Sequence, residues 1–235
     1  MALHRFTHPL CACMLFVSSV MFAQPSGWYW VNPRPQGDYL YDVQALDAET
    51  GIAVGELGTI IKTTDGGMHW DVQHYSGDVN DALDKASFAS MTLGWAVGES
   101  GAIIKTTDGG FHWTGKTSGT SVRLTDVHFL DPFRGVSCGE NIVIRSTDGG
   151  ENWTSTTFND TTVIVGVRFR NANSVWAVGY EYTDPPWELH NGVVYGSTDG
   201  GSQWTRLLVD SARTFSCSTR RHRRAWCDRR FPCSR

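Results

Sequence analysis

Apolar and polar positions along this chain alternate in short stretches, and the stretches recur. Ile60-Ile61-Lys62, Ile103-Ile104-Lys105, Ile142-Val143-Ile144-Arg145 and Val193-Val194-Tyr195 are apolar runs too short for helices and rich in β-branched residues. They read as inner strands of a sheet. Each is followed by one corner: Thr63-Thr64-Asp65-Gly66-Gly67-Met68-His69-Trp70, Thr106-Thr107-Asp108-Gly109-Gly110-Phe111-His112-Trp113, Ser146-Thr147-Asp148-Gly149-Gly150-Glu151-Asn152-Trp153 and Ser197-Thr198-Asp199-Gly200-Gly201-Ser202-Gln203-Trp204. An Asp side chain bonds backbone N–H groups in a turn and Gly accepts a positive φ, so each corner predicts a hairpin. The Trp opens the return strand and offers a large apolar face. Before each run stands a second strand: Gly51-Ile52-Ala53-Val54-Gly55, Gly94-Trp95-Ala96-Val97-Gly98, Gly135-Val136-Ser137-Cys138-Gly139 and Val175-Trp176-Ala177-Val178-Gly179. A first strand precedes that, at Tyr41-Asp42-Val43, Ala86-Ser87-Phe88, Val127-His128-Phe129 and Val167-Arg168-Phe169.

The pattern therefore predicts four strands per unit. Within the corners Ser/Thr, Asp, Gly-Gly and Trp keep their places, while the two residues before Trp read as free to vary. Asp65, Trp70, Asp108, Trp113, Asp148, Trp153, Asp199 and Trp204 are accordingly assigned to structure, not catalysis. The corner Trp residues lie 43, 40 and 51 residues apart. A period near forty built of short strands predicts propeller blades.

The corner Ser/Thr-x-Asp-x-Gly-x-x-Trp resembles the Asp-box, or bacterial neuraminidase repeat. With Gly-x-Ala-Val-Gly before it, the unit most resembles the propellers of the photosystem II stability and assembly factor family, over residues 28–204. Secreted bacterial proteins unrelated to photosynthesis share the repeat. The resemblance implies a non-catalytic propeller that holds a macromolecular partner. The arginine-rich patch with which those factors hold theirs has no counterpart that can be mapped here.

The fold expected is an all-β propeller with four-stranded antiparallel blades. It is incomplete, with four blades at about 39–75, 81–118, 122–158 and 161–209, and six or seven when whole. Gly27 to Gln36 resembles the strand after a corner Trp and is expected to close the last blade from the N-terminus. Residues 1–23 carry Arg5 and the apolar run from Cys11 to Ala23, the pattern of a cleaved signal peptide. No other stretch is apolar enough to cross a bilayer. The expected location is the periplasm, the cell surface or the exterior. Blade three lacks one residue between its second and third strands. Blade four carries an insertion from Glu181 to His190 whose Pro-Pro-Trp, with Trp187, is a candidate contact element. Glu56, Glu99 and Glu140 follow Gly in the equivalent turns of the first three blades and are candidate binding residues on the same rim, for a cationic partner or a metal ion. Solvated turn residues, repeated by duplication, are the competing reading.

Charge changes the picture at one end. Residues 1–211 hold twelve Lys and Arg against twenty-three Asp and Glu, a balance of −11 within an overall −4. Residues 212–235 hold eight Arg, three Cys and one acid. The tail lacks paired metal-ligand spacing and lacks the strands a next blade needs. Trp226 stands 22 residues after Trp204, as Gly135 does after Trp113 and Val175 after Trp153. One base forward, codons for Ala225 to Arg230 allow Gly-x-x-x-Gly in register, so the tail reads as a disordered frameshift product. Of the six Cys, Cys138 alone belongs to the body, as a buried apolar residue.

Known chemistries find little support. A sialidase needs a clamp of Arg, a Tyr-Glu pair and an Asp acid. The body Arg residues from Arg34 to Arg206, Arg168 among them, do not recur at equivalent blade positions. His69 and His112 read as surface residues, and His74, His128 and His190 have no ligand spacing. Neither metal nor cofactor is expected. The acidic body argues against nucleic acid. The reading is a non-catalytic exported propeller, monomeric, binding a protein or a glycan. The alternatives are an Asp-box glycoside hydrolase of the sialidase type and a structural domain of a longer cell-surface protein.

Overall fold

The computed structural model describes residues 38–75, 81–182 and 190–210. The expected signal peptide, the closing strand over 27–36, Trp187 with most of its loop, and the tail from 212 lie outside the described residues.

Four sheets follow one another along the chain, each built on four antiparallel strands in sequence order, one of them with a further parallel strand at its edge. Blade one is β1 (Leu40–Ala45), β2 (Gly51–Gly55), β3 (Ile60–Thr63) and β4 (Asp71–Val72). Blade two is β6 (Leu83–Phe88), β7 (Gly94–Gly98), β8 (Ile103–Thr106) and β9 (His112–Lys116). Blade three is β10 (Leu124–Phe129), β11 (Gly135–Gly139), β12 (Ile142–Ser146) and β13 (Thr154–Thr157). Blade four is β14 (Thr162–Phe169), β15 (Val175–Tyr182), β16 (His190–Ser197) and β17 (Thr205–Asp210). The two residues of β5 (His74–Tyr75) leave blade one and run parallel to β9, giving blade two a fifth, outermost strand. The four described sheets form an all-β propeller and do not close into a ring among themselves.

The first strand of every blade breaks register at the same place, between Leu40 and Asp42, Leu83 and Lys85, Leu124 and Asp126, and Ile164 and Gly166. A bulge there bends the strand and re-aims the next side chain. The Gly that ends each second strand has a steric reason. A Cβ on Gly55, Gly98, Gly139 or Gly179 would stand 2.0, 1.8, 1.9 or 2.0 Å from the carbonyl oxygen of Tyr39, Ala82, Arg123 or Val163.

The residue missing from blade three is accounted for at the rim. Blades one and two turn through 3-10 segments, Glu56–Gly58 and Glu99–Gly101, with Leu57 and Ser100 at φ 53° and 54°. Blade three turns through Glu140 and Asn141 alone, and Gly139 pairs with Ile142. The blade-four insertion is shorter than the sequence suggests. Glu181 pairs with Asn191 and Tyr182 with His190, so both ends of the insertion lengthen β15 and β16. Tyr180-Glu181-Tyr182 alternates like a strand, and the Tyr180 and Tyr182 rings meet edge to face with centroids 5.4 Å apart.

Each apolar core lies between two blades. Ile52, Val54 and Ile60 of blade one pack on Leu83, Ala86, Ile104 and Trp113 of blade two. Trp95, Val97 and Ile103 of blade two pack on Leu124, Val127, Phe129 and Ile144 of blade three. Val136, Cys138 and Val143 of blade three pack on Ile164, Val167, Phe169 and Tyr195 of blade four. Apolar burial is thus spent at the joints, as in repeat proteins whose units stabilise only one another.

Candidate functional site

The corners behave as scaffold. In blade one the Thr63 hydroxyl donates to Asp65 Oδ1 (2.9 Å) and accepts from the Gly67 N–H (2.9 Å), while the His69 N–H donates to Asp65 Oδ1 (2.9 Å). Blades two to four repeat this around Asp108, Asp148 and Asp199. The indoles of Trp113, Trp153 and Trp204 donate to the carbonyls of Gly110, Gly150 and Gly201 at 3.1 to 3.2 Å. Asp65, Asp108, Asp148, Asp199 and these Trp residues therefore bond to the backbone of their own turns.

The slot before Trp is not free in the first three corners. The His69 and His112 rings meet Asp65 and Asp108 at 2.6 and 2.7 Å, and Asn152 donates to Asp148 at 2.7 Å. The sequence carries the signal: His, His, Asn and Gln are all N–H donors. The carboxylates answer to it. The His69 backbone N–H and ring hold Asp65 at a pKa of about 2. Burial pushes Asp108 up, but bonds from His112 outweigh it and keep it at about 2. The Asn152 side chain and N–H hold Asp148 at about 2. All three lie below the ordinary value of 3.8, so the folded state favours the ionised form. Their contribution to stability is complete above about pH 4 and disappears as pH falls through the folded values. The melting temperature should hold steady down to about pH 4 and drop between pH 4 and 2. A melting curve unchanged across that window would contradict the assignment.

The rim carboxylates are dispersed. Glu56 Oε2 accepts from the Tyr39 N–H at 3.4 Å. Glu99 lies 3.6 Å from Arg123, whose fork is already bound to Asp84 at 2.6 and 2.7 Å. Glu140 projects into solvent, and its carbonyl accepts from Ile164. Among the described residues no three His, Cys, Asp or Glu side chains gather as metal ligands would. In blade four the rim is instead an ion pair, Arg206 to Glu181 at 2.5 Å, beside Tyr180 and Tyr182.

A concave feature among the described residues lies elsewhere, on the first strands of blades two to four and the second strand of blade four. An open groove of about 440 Å³ is lined by Lys85, Thr125, Asp126, Arg168 and the apolar side chains Val165, Trp176 and Val178. Asp126 is 4% exposed. Its Oδ2 accepts from the Val167 N–H at 2.8 Å and from the Arg168 guanidinium, tying blade three to blade four. Its Oδ1 is buried without a donor, which a carboxylate tolerates only at a cost of about 1–3 kcal/mol. Asp42 does the same work two joints earlier, between blades one and two, accepting from the Ala86 N–H and from Lys85 at 2.7 Å. Burial, then the charge of Arg168, lowers the pKa of His128, whose Nδ1 accepts from the Phe169 N–H. Burial pushes the Cys138 thiol far above its ordinary range, which makes it inert. Sequence reasoning passed over Asp42, Asp126 and Arg168. The available signal was the Asp repeated three residues before the end of the first-strand motif, with a cation in the following blade.

Residues 22–116, which span blades one and two and the stretch before them, match the family model for the Photosynthesis system II assembly factor YCF48. This is a BNR-type β-propeller resembling that assembly factor. No curated protein matches the sequence. Among solved structures, YCF48 bound to D1 peptide is 18% identical, with 73% of this chain and 83% of that chain covered and a TM-score of 0.49. YCF48 from Cyanidioschyzon merolae is 16% identical over 74% and 86%, with a TM-score of 0.47. An ancestral GH74 enzyme is 16% identical over 72% of this chain, with a TM-score of 0.57, and the propeller spans 25% of that enzyme's length. At such identity this last likeness is one of fold.

Proposed function

We propose that this YCF48-like propeller is an exported, non-catalytic protein that binds a segment of another protein and holds it during assembly. The family match over residues 22–116 carries the reading. The chemistry of the groove supports it. Asp126 is the acid among its described lining residues, and it is already engaged by Val167 and Arg168. A glycoside hydrolase needs two carboxyl groups facing one another across the sugar bond. Val165, Trp176 and Val178 beside Lys85 and Arg168 suit an apolar peptide segment with an acidic group better than a neutral sugar.

The test pairs two assays on the same preparation. A fluorescently labelled D1 peptide should raise its anisotropy saturably, and polysaccharides should release no reducing ends. Sugar release with turnover would overturn the reading, and so would the absence of saturable peptide binding.

A further inference from the structure

The second strand of a blade is a probe of what covers it, because its outward positions recur. Ile52 and Val54, Trp95 and Val97, and Val136 and Cys138 are all 0% exposed under the following blade. The same positions in blade four, Trp176 and Val178, are 50% and 45% exposed. Val165 beside them is 47% exposed. This is the face that carries the groove.

At the opposite end, blade one shows the complementary surface. Blades two, three and four each turn a first strand toward the preceding blade. Leu83 and Ala86, Leu124 and Val127, and Ile164 and Val167 there are at most 3% exposed. The equivalents in β1, Leu40 and Val43, are 45% and 62% exposed. The corner glycines agree. Gly110, Gly150 and Gly201 are buried against Ile52, Trp95 and Val136 of the blade before, whereas Gly66 is exposed and Gly67 half-buried. Among the described residues, blade one is a follower whose leading partner is not seen, and blade four is a leader whose follower is not seen.

The shapes of the two faces fit. In the joint between blades two and three the Trp95 ring stacks on Phe129 with centroids 3.3 Å apart, and its indole N–H reaches the Gly149 carbonyl at 3.1 Å. Trp176 occupies the position of Trp95. Where blade three has Phe129, blade one has exposed Ala45, whose smaller side chain leaves room for an indole beside Gly66 and Gly67.

We propose that the open face of blade four takes blade one of a second copy of this chain, head to tail, through the joint that the molecule already builds three times. This pairing replaces the monomer expected from sequence, and it does not rest on the peptide-binding reading. It is an apolar joint. The cations that brace the other three, Lys62 on the Gly109 carbonyl, Lys105 on Glu151 and Arg145 on the Gly200 carbonyl, have Gly196 as their counterpart in blade four. Association should therefore survive high salt.

Because the contact is heterologous, each interface uses one leading and one following face. Trp176→Glu and Val43→Glu spoil one each. Sedimentation of the full chain should show its mass rising to two or more copies between about 1 and 200 µM, a range that brackets micromolar affinity, with and without about 1 M salt. Each variant alone should remain a monomer. An equimolar mixture should recover a pair, joined by the intact leading face of V43E and the intact following face of W176E. Both positions are about half exposed or more in the single chain, so near-native circular dichroism is expected, and Val178→Thr gives a second, milder probe of the leading face. A wild-type chain that stays monomeric throughout, variants that associate like wild type, or a mixture that fails to reassociate overturns the proposal. Peptide anisotropy measured on monomeric V43E, whose groove residues are untouched, separates this failure from failure of the binding function.

Discussion

Changing Gly98 to Ala should destabilise the propeller by about 4 kcal/mol or more, among the largest effects open to a single methyl group. The added Cβ would stand 1.8 Å from the Ala82 carbonyl oxygen, an approach no real contact allows. Nothing nearby can give way cheaply. The obstacle is backbone, and its oxygen accepts from the Glu99 N–H at 2.9 Å. On either side, Leu83 and Val97 are 1% and 0% exposed, locking β6 and β7 into both neighbouring joints. Relief means pulling the start of β6 away from the end of β7. Urea unfolding of the purified variant checks it, and loss of soluble protein would be the extreme form of the expected result. Gly192→Ala is the control: its Cβ meets nothing within 4 Å, and a change within about 0.5 kcal/mol is expected. Equal effects at the two positions would show that backbone freedom, rather than close approach, explains these glycines.

Trp95→Ala should cost about 3–5 kcal/mol, the range for removing a buried aromatic side chain. The indole is 0% exposed, stacked on Phe129, and bonded to the Gly149 carbonyl of the next blade. Its loss opens a cavity at a joint packed so closely that a Cβ on Gly150 would stand 2.7 Å from the indole nitrogen. The sequence-equivalent Trp176→Ala should cost about 1 kcal/mol or less in the monomer, because half of that side chain is already in water. Thermal or urea unfolding at a concentration below any self-association separates the two. Comparable losses would mean that the second-strand position stabilises its own blade and not the joint.

Most of the fold was legible because each cue is local. Asp65-Gly66-Gly67 and its three copies specify a turn by side-chain chemistry within a few residues, and the Gly-x-Ala-Val-Gly strands are short, nearly continuous apolar runs bounded by glycine. What escaped depends on neighbours distant in sequence. Asp126 looks like any strand acid until blade four places the Val167 N–H and Arg168 on it, some forty residues on. Arg168 looked unremarkable because its counterparts Gln44, Ser87 and His128 differ in type, although all stand at one structural position. Glu56, Glu99 and Glu140 recur in sequence, yet their turns stand on separate blades and the chain does not gather them. The slot before the corner Trp was misread for the reverse reason: His, Asn and Gln differ as letters and agree as donors.

The short run of His74–Tyr75 beside β9 bears on how such a chain could be rearranged. Beads that touch only through their faces can be cut out, copied or shuffled one at a time. Here the thread leaving the first bead is stitched into the outer margin of the second before any new bead begins. A duplication or deletion falling between blades one and two would therefore leave these two residues without the edge they pair with.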